Sequence, residues 1–312
     1  MAEARGDIVA TGAASGILAR RPSARARLLR HFLARPLAVA AAAFLVILII
    51  GAAGAPLIAP QNPYNLQALN LADSLLPPAW MAGGKMPYLL GTDVQGRDIF
   101  STILFGSQTS LIVGTGVVLI AGSLGGFIGL VAGYFGGWID TVTMRIADSL
   151  LSFSTTLIAL LLLGIIKNGS VGLVILAIVV SGWVQYARTM RGSVLAVKEE
   201  DYVLAARAIG GGALRLILKH VLPNAVAPLL VIAAVDFGVA VMLEATLSFL
   251  GVGVPVTQPS LGMMISQGKD FIYAGMWWLI AFPAGVLMGI VFSLNILADW
   301  LRDEINPRLQ RR

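Results

Sequence analysis

Cysteine is absent from this 312-residue chain, which excludes disulfides, thiol catalysis and cysteine-ligated iron–sulfur clusters. Histidine occurs only at His31 and His220. The two lie far apart without acidic partners at ligand spacing, so neither is expected to hold a metal, and a helix-end or lipid-facing place suits each. There is no GxxxxGK[ST] phosphate loop, no nucleophile elbow and no HExxH, which removes P-loop ATP hydrolysis, Ser-hydrolase chemistry and zinc proteolysis from consideration. Nothing combines a nucleophile, a base and a metal set, so a membrane-embedded enzyme is not expected and the chain binds no cofactor of its own. Charge is scarce as well: Asp, Glu, Lys and Arg make up 12% of the residues, against roughly 25% in a soluble domain.

What fills the chain is apolar. Hydrophobic residues account for 57% and the mean hydropathy is +0.85, the composition of a polytopic, all-α integral membrane protein. A hydrocarbon core of about 30 Å needs about 20 helical residues to cross. Six windows are long and apolar enough, near 37–59, 108–135, 149–167, 170–188, 225–252 and 274–298. The 23 uncharged residues of the first, after a 36-residue leader, are too long for the h-region of a cleaved signal peptide, and it reads as a retained span. The domain organisation expected from this is a basic segment over 1–36, a first span over 37–59, a loop over 60–107, a five-span core over 108–300 and a tail over 301–312.

The basic residues orient these spans. Placing both termini in the cytoplasm puts 18 Lys and Arg inside and leaves only Lys85, Arg97, Lys167 and Lys269 outside, a bias that favours this topology. The net charge of +6 is therefore a topology signal. It does not point to nucleic acid, because no aromatic-basic interleaving accompanies the arginines. The Arg-rich stretch from 20 to 35 suits an anionic lipid surface.

One polar segment interrupts the spans: an insert over 193–224 with DYVLAARAIGGGALRLILKHVLP at its centre. Glu199, Glu200 and Asp201 bring negative charge to a helix start, with Asp201 as the expected N-cap. Tyr202, Ala205, Ala206 and Ile209 fall on one face, and the alanines leave it shallow enough for close packing. Gly210, Gly211 and Gly212 stop that helix and supply a left-handed cap. A second short helix is expected with Leu214, Ile217, Leu218 and Val221 on its apolar face, ended or kinked by Pro223. The insert reads either as a docking element for a soluble partner or as an ordinary linker. In the second span Gly125, Gly129 and Gly133 recur every four residues, which lets helices approach closely in lipid, as a moving interface or as static packing.

The insert resembles the cytoplasmic EAA loop of bacterial ABC importer permeases: Glu-Ala-Ala, three residues, Gly, nine residues, Ile, one residue, Leu-Pro. Ala205, Ala206, Gly210, Leu222 and Pro223 fall in register, while Leu204 replaces the glutamate and His220 the isoleucine. DYVLAARAIG with KHVLPN is similar to the peptide-importer branch. So are LLGTDVQGRDIFSTILFG (89–106), GYFGGWIDTVTMRIADSLLSF (133–153), ARTMRG (187–192), EATLSFLGVGV (244–254) and NILADWLRDEINPR (295–308), in order. Ser154 stands where a proline is usual, and Leu261 where a Trp is.

The resemblance implies the C-type subunit of a dipeptide or oligopeptide permease with the type I ABC importer fold, in a bacterial inner membrane. It implies a homologous B-type permease, two cytosolic ATPases that hold ATP and Mg, an extracytoplasmic solute-binding protein and a peptide-like substrate. It assigns ATPase coupling to Asp201, Tyr202, Ala205, Ala206, Gly210, Leu222 and Pro223. Nickel chelates, glutathione or another peptide-like solute are the alternative cargo, and a proton-coupled secondary transporter is the alternative mechanism. Two acids lie in the fifth span. Glu244 either hydrogen-bonds a neighbouring helix or borders the translocation path. Asp236 either lines that path, facing a cationic group such as a peptide N-terminus, or pairs with the B-type subunit.

Overall fold

The computed structural model describes residues 30–65, 69–166 and 169–305. Among them the chain is helical, with a single isolated antiparallel bridge between Thr92 and Asp98. The helices used below are α1 (Pro36–Ala53), α2 (Ile99–Phe135), α3 (Gly137–Leu151), α4 (Thr155–Ile166), α5 (Val171–Val197), α6 (Asp201–Ala208), α7 (Ala227–Phe249), α8 (Leu261–Gly268) and α9 (Trp278–Ile305). Of the segments expected at the termini, 1–29 and 306–312 lie outside the described residues.

Five helices, α1, α2, α5, α7 and α9, are long and apolar enough to cross a membrane. The sixth expected span, 149–167, is not one straight helix. It straddles a break between α3 and α4, which meet at 82°, and the 12 residues of α4 reach only about 18 Å. The reason is charge: α3 carries Asp140 and Asp148, which pair with Arg191 and Arg188 of α5, and these pairs hold α3 across the end of α5 instead of in line with α4.

Two other boundaries move outward. α2 starts at Ile99 rather than 108, because Asp98 caps it: the amide of Ser101 donates to Asp98 Oδ2 at 2.8 Å and the Ser101 hydroxyl at 2.6 Å. Ser101, Thr102 and Ser107 in its first turns are polar, hence silent in a hydropathy reading, yet fully buried. The resulting 37-residue helix is about 55 Å long. α5 runs to Val197 rather than 188, so Arg188 and Arg191 sit on its last turns.

The α2–α5 pair is the tightest in the fold. A Cβ at Gly125 or Gly129 would strike the backbone of Trp183 or Ala187, and one at Gly133 would lie 3.0 Å from the Arg191 carbonyl. The glycine stripe thus matches residues 183, 187 and 191, also spaced by four, and lets the backbones touch. Val113, Val117, Ile178 and Leu247 join α2, α5 and α7 in one core, and Leu45, Ile103, Val241 and Ile290 bring α1 and α9 into another. Phe44 fills the notch left by Gly289. Arg35 donates to Asp303 at 2.7 Å and Phe32 meets Trp300 edge to face, fastening the start of α1 to the end of α9. That end of the bundle also carries α6.

At the opposite end residues 60–65 and 69–98 fold onto the start of α2. Arg97, 1% exposed, donates through Nε to Asp93 Oδ2 at 2.7 Å, while Asp93 Oδ1 accepts from the amides of Gln95 and Arg97. Lys85 and Asp73 form an ion pair at 2.8 Å.

Candidate coupling site and buried acids

The insert folds as two short helical arms hung from the end of α5. The N-cap of α6 is Glu200, in extended conformation and without a side-chain cap bond. Asp201 is therefore the first helical residue, not the cap that the sequence suggests, and serves the helix dipole instead. At the other end Gly210 takes φ +86°. Its amide donates to the Arg207 carbonyl at 3.0 Å and that of Gly211 to the Ala206 carbonyl at 3.1 Å, the paired bonds of a Schellman stop.

Tyr202, Ala205 and Ile209 are exposed and Ala206 is half-buried, so the shallow face looks outward from the chain. What anchors α6 is Val203, 0% exposed, packed with Leu130, Met190, Val194, Ile217 and Val221. Sequence reading passed over Val203 because one buried residue in eight leaves no periodic signal. The coupling set thus divides: Asp201, Tyr202, Ala205, Gly210 and Pro223 are exposed, whereas Leu222 packs against the anchoring cluster.

The second arm differs from its expected pattern. Leu214 and Leu218 are exposed, and the buried set is Leu216, Ile217, Val221 and Ala225. The cause is a single π turn over Ile217–Val221. Pro223 has no amide to offer the Lys219 carbonyl and its ring crowds it, so the turn widens, and residues four apart rather than three and four apart share a face. The helix passes through Pro223 instead of ending there, and Asn224 Nδ2 donates to the His220 carbonyl at 2.7 Å.

Glu244 is 0% exposed. Its Oε1 accepts from the hydroxyls of Ser260 at 2.7 Å and Ser248 at 2.8 Å, and its Oε2 from Ser110 at 3.0 Å. The donors belong to the residue before α8, to α7 itself and to α2, so the carboxyl ties three elements together and is enclosed by the chain. Asp236, two turns nearer the insert end, is half-buried, with an enclosed Oδ2 that has no hydrogen-bond partner. The Tyr186 hydroxyl on α5 is its neighbour, likewise enclosed, and interacts with it. Near it a cavity of about 500 Å³ opens between α5, α7 and α9, with Gln185, Asp299 and Arg302 as its polar walls. Among the described residues no group of three or more His, Asp or Glu side chains converges as a metal site.

Known proteins place this architecture. Residues 125–311 match the family described as the binding-protein-dependent transport system inner membrane component, and residues 23–78 match the N-terminal TM domain of oligopeptide transport permease C. The chain is 39% identical over 275 residues to the dipeptide transport system permease protein DppC of Escherichia coli, covering 88% of this chain and 90% of that one. It is 36% identical over 268 residues to the protein of that name from Haemophilus influenzae, covering 86% and 89%. It is 35% identical over 268 residues to the di/tripeptide transport system permease protein DppC of Pseudomonas aeruginosa, covering 86% of each. With an all-helical bundle of apolar spans, a capped polar insert and these matches together, the chain belongs to the family of inner-membrane components of binding-protein-dependent transport systems.

Proposed function

We propose that this chain is the C-type permease subunit of an ABC importer that carries dipeptides or short oligopeptides into the cell. The observation that carries the reading is α6. It is a short helix fixed at its root by Val203, stopped by Gly210, and presenting Tyr202, Ala205 and Ile209 outward. A helix so fixed can be pushed as a unit and can transmit the push to α5, whose last turns form its socket. A mere linker needs neither the buried root nor the capped stop.

In this reading a homologous B-type permease completes the passage, and two cytosolic ATPases hold ATP and Mg²⁺. An extracytoplasmic binding protein delivers the solute at the end that carries residues 69–98. Both termini and the insert lie in the cytoplasm, the side of the basic residues. The chain itself hydrolyses nothing. Asp236 borders the passage, since an ionisable group at this depth is costly unless it meets a cavity or a partner. Glu244, satisfied by three hydroxyls, holds the bundle together.

The test is uptake of radiolabelled alanyl-alanine by proteoliposomes containing the four-subunit complex with loaded binding protein. ATP-dependent accumulation that disappears without the ATPases is the expected result. Accumulation driven by a proton gradient without them would show a secondary transporter. Asp236→Asn is expected to slow uptake with assembly and basal hydrolysis near normal, whereas loss of assembly would assign Asp236 to the subunit interface.

A further inference from the structure

α3 lies across the bundle rather than along it. Ala159 and Leu163 of α4 pack with Val174 and Ile178 of α5 in one core, so α4 runs beside a membrane span, and α3 meets α4 at 82°. The pairs of Asp140 with Arg191 and of Asp148 with Arg188 turn both acids of α3 toward α5. Ala147, on the inner side of the helix, is fully buried.

A helix turns about 100° per residue, which puts Trp138 opposite Ala147. Trp138 is 75% exposed, and Val142 and Ile146, one and two turns further on, are exposed beside it. Phe135, at the end of α2, continues the stripe. None of these four joins a packed core among the described residues. The exposed hydroxyls of Thr141, Ser149 and Ser152 donate to the carbonyls four residues back, those of Gly137, Arg145 and Asp148, at 2.9–3.0 Å. Back-bonding of this kind leaves no hydroxyl proton in need of water or of a protein partner. Against hydrocarbon it is what a helix face requires, because polar groups there must be satisfied from within. Arg145, exposed and without an ion pair among the described residues, is the charge that remains at the edge of the stripe.

We infer that α3 is an interfacial helix lying in the plane of the bilayer, with Trp138, Val142 and Ile146 sunk about 5–10 Å into the boundary between headgroups and acyl chains and the Arg145 guanidinium on a lipid phosphate. Lipid rather than another subunit covers this face, because its hydroxyls are closed and because the apolar helices α2 and α4 enter the bilayer from its two ends. An indole with one N–H and an arginine with a long apolar stem both suit that boundary. Through Arg188 and Arg191, α3 then sets the height of the last turns of α5, and with them the socket of α6, relative to the membrane surface.

Because the chain has no cysteine, Val142→Cys and Ile146→Cys can each carry an NBD fluorophore on this subunit, in a complex whose other subunits are free of cysteine. In phosphatidylcholine vesicles, lipid spin-labelled high on its acyl chain is expected to quench both sites strongly, lipid labelled near the chain end weakly, and iodide in the water little. Quenching by iodide alone would place the face in water, and quenching by none of the three would place it under another subunit; either result overturns the inference. With the shallow spin label carried on phosphatidylglycerol, its local concentration at Val142→Cys should rise about fivefold, the attraction of one basic residue to an anionic lipid. Arg145→Gln should abolish that rise and leave quenching by labelled phosphatidylcholine as it was. A rise that survives in Arg145→Gln would overturn the phosphate contact. These readouts need no transported solute, so their outcome is separate from that of the uptake assay.

Discussion

Glu244→Ala removes the acceptor on which three hydroxyls converge, and the structure allows the cost to be worked out. Hydrogen bonds between membrane helices average about 0.6 kcal/mol, so three together are worth about 2 kcal/mol. Truncation leaves a void where the carboxyl stood, adding about 1 kcal/mol at the usual cost per unit of cavity volume. Ser110 and Ser248 are helical and can turn to the carbonyl four residues back, which spares them the full penalty of an orphaned hydroxyl. Ser260 is not helical and stands with extended backbone before α8, so it bears most of the loss. The expected destabilisation is about 3 kcal/mol.

Glu244→Gln keeps a carbonyl oxygen for Ser248 and Ser260 and alters only the contact with Ser110, so it should cost about 1 kcal/mol. Thermal unfolding of the purified complex, followed by tryptophan fluorescence, separates the two variants. By the size scaling of large domains the alanine variant should melt about 6–12 °C below wild type and the glutamine variant about 2–4 °C below. An alanine variant as stable as wild type, or a glutamine variant as damaged as alanine, would refute the carboxyl as the hub of this packing.

Gly210→Val places a β-branched residue at φ +86°, a local cost of about 1–3 kcal/mol; it should still insert and assemble with its permease partner yet fail to retain the ATPases in pull-down. Ala206→Trp should act alike by filling the shallow face. Gly129→Ala drives a Cβ into the Ala187 backbone and should cost about 1–3 kcal/mol by overpacking, read as a lowered Tm, whereas Gly285→Ala, with open space around it, should be neutral or slightly stabilising. The hydrogen bond from Lys85 holds the Asp73 carboxyl below its ordinary range. Such a depressed group stabilises the fold above its unfolded value, and the contribution is lost as pH falls through the lower folded one. The melting difference between wild type and Lys85→Met should therefore be present at neutral pH and vanish in acid.

Local physics accounts for what could be read from the sequence alone. Apolar runs of sufficient length imply spans whatever they pack against, and the basic residues orient them in the same additive way. The stop at Gly210 was legible because a left-handed cap is chosen by a few residues and their own backbone. Gly125, Gly129 and Gly133 announced close packing for a similar reason, since four-residue spacing places them on one helix face.

Tertiary structure decided the rest. Ser110 and Glu244 are 134 positions apart and Ser260 is 16 beyond the acid, so their convergence depends on how α2, α7 and the start of α8 pack, which no window of sequence contains. The start of α2 at Ile99 was hidden because Ser101, Thr102 and Ser107 are buried by neighbours rather than by their own hydropathy. The bend between α3 and α4 follows from Asp140 and Asp148 meeting arginines on a later helix. Val203 anchors α6 only because α5 and the π turn bring Met190, Val194 and Val221 beside it. Composition and turn chemistry act over a few residues and so survive in the sequence. The choice of partner for a buried acid, a glycine notch or a lone valine is a property of the packed bundle.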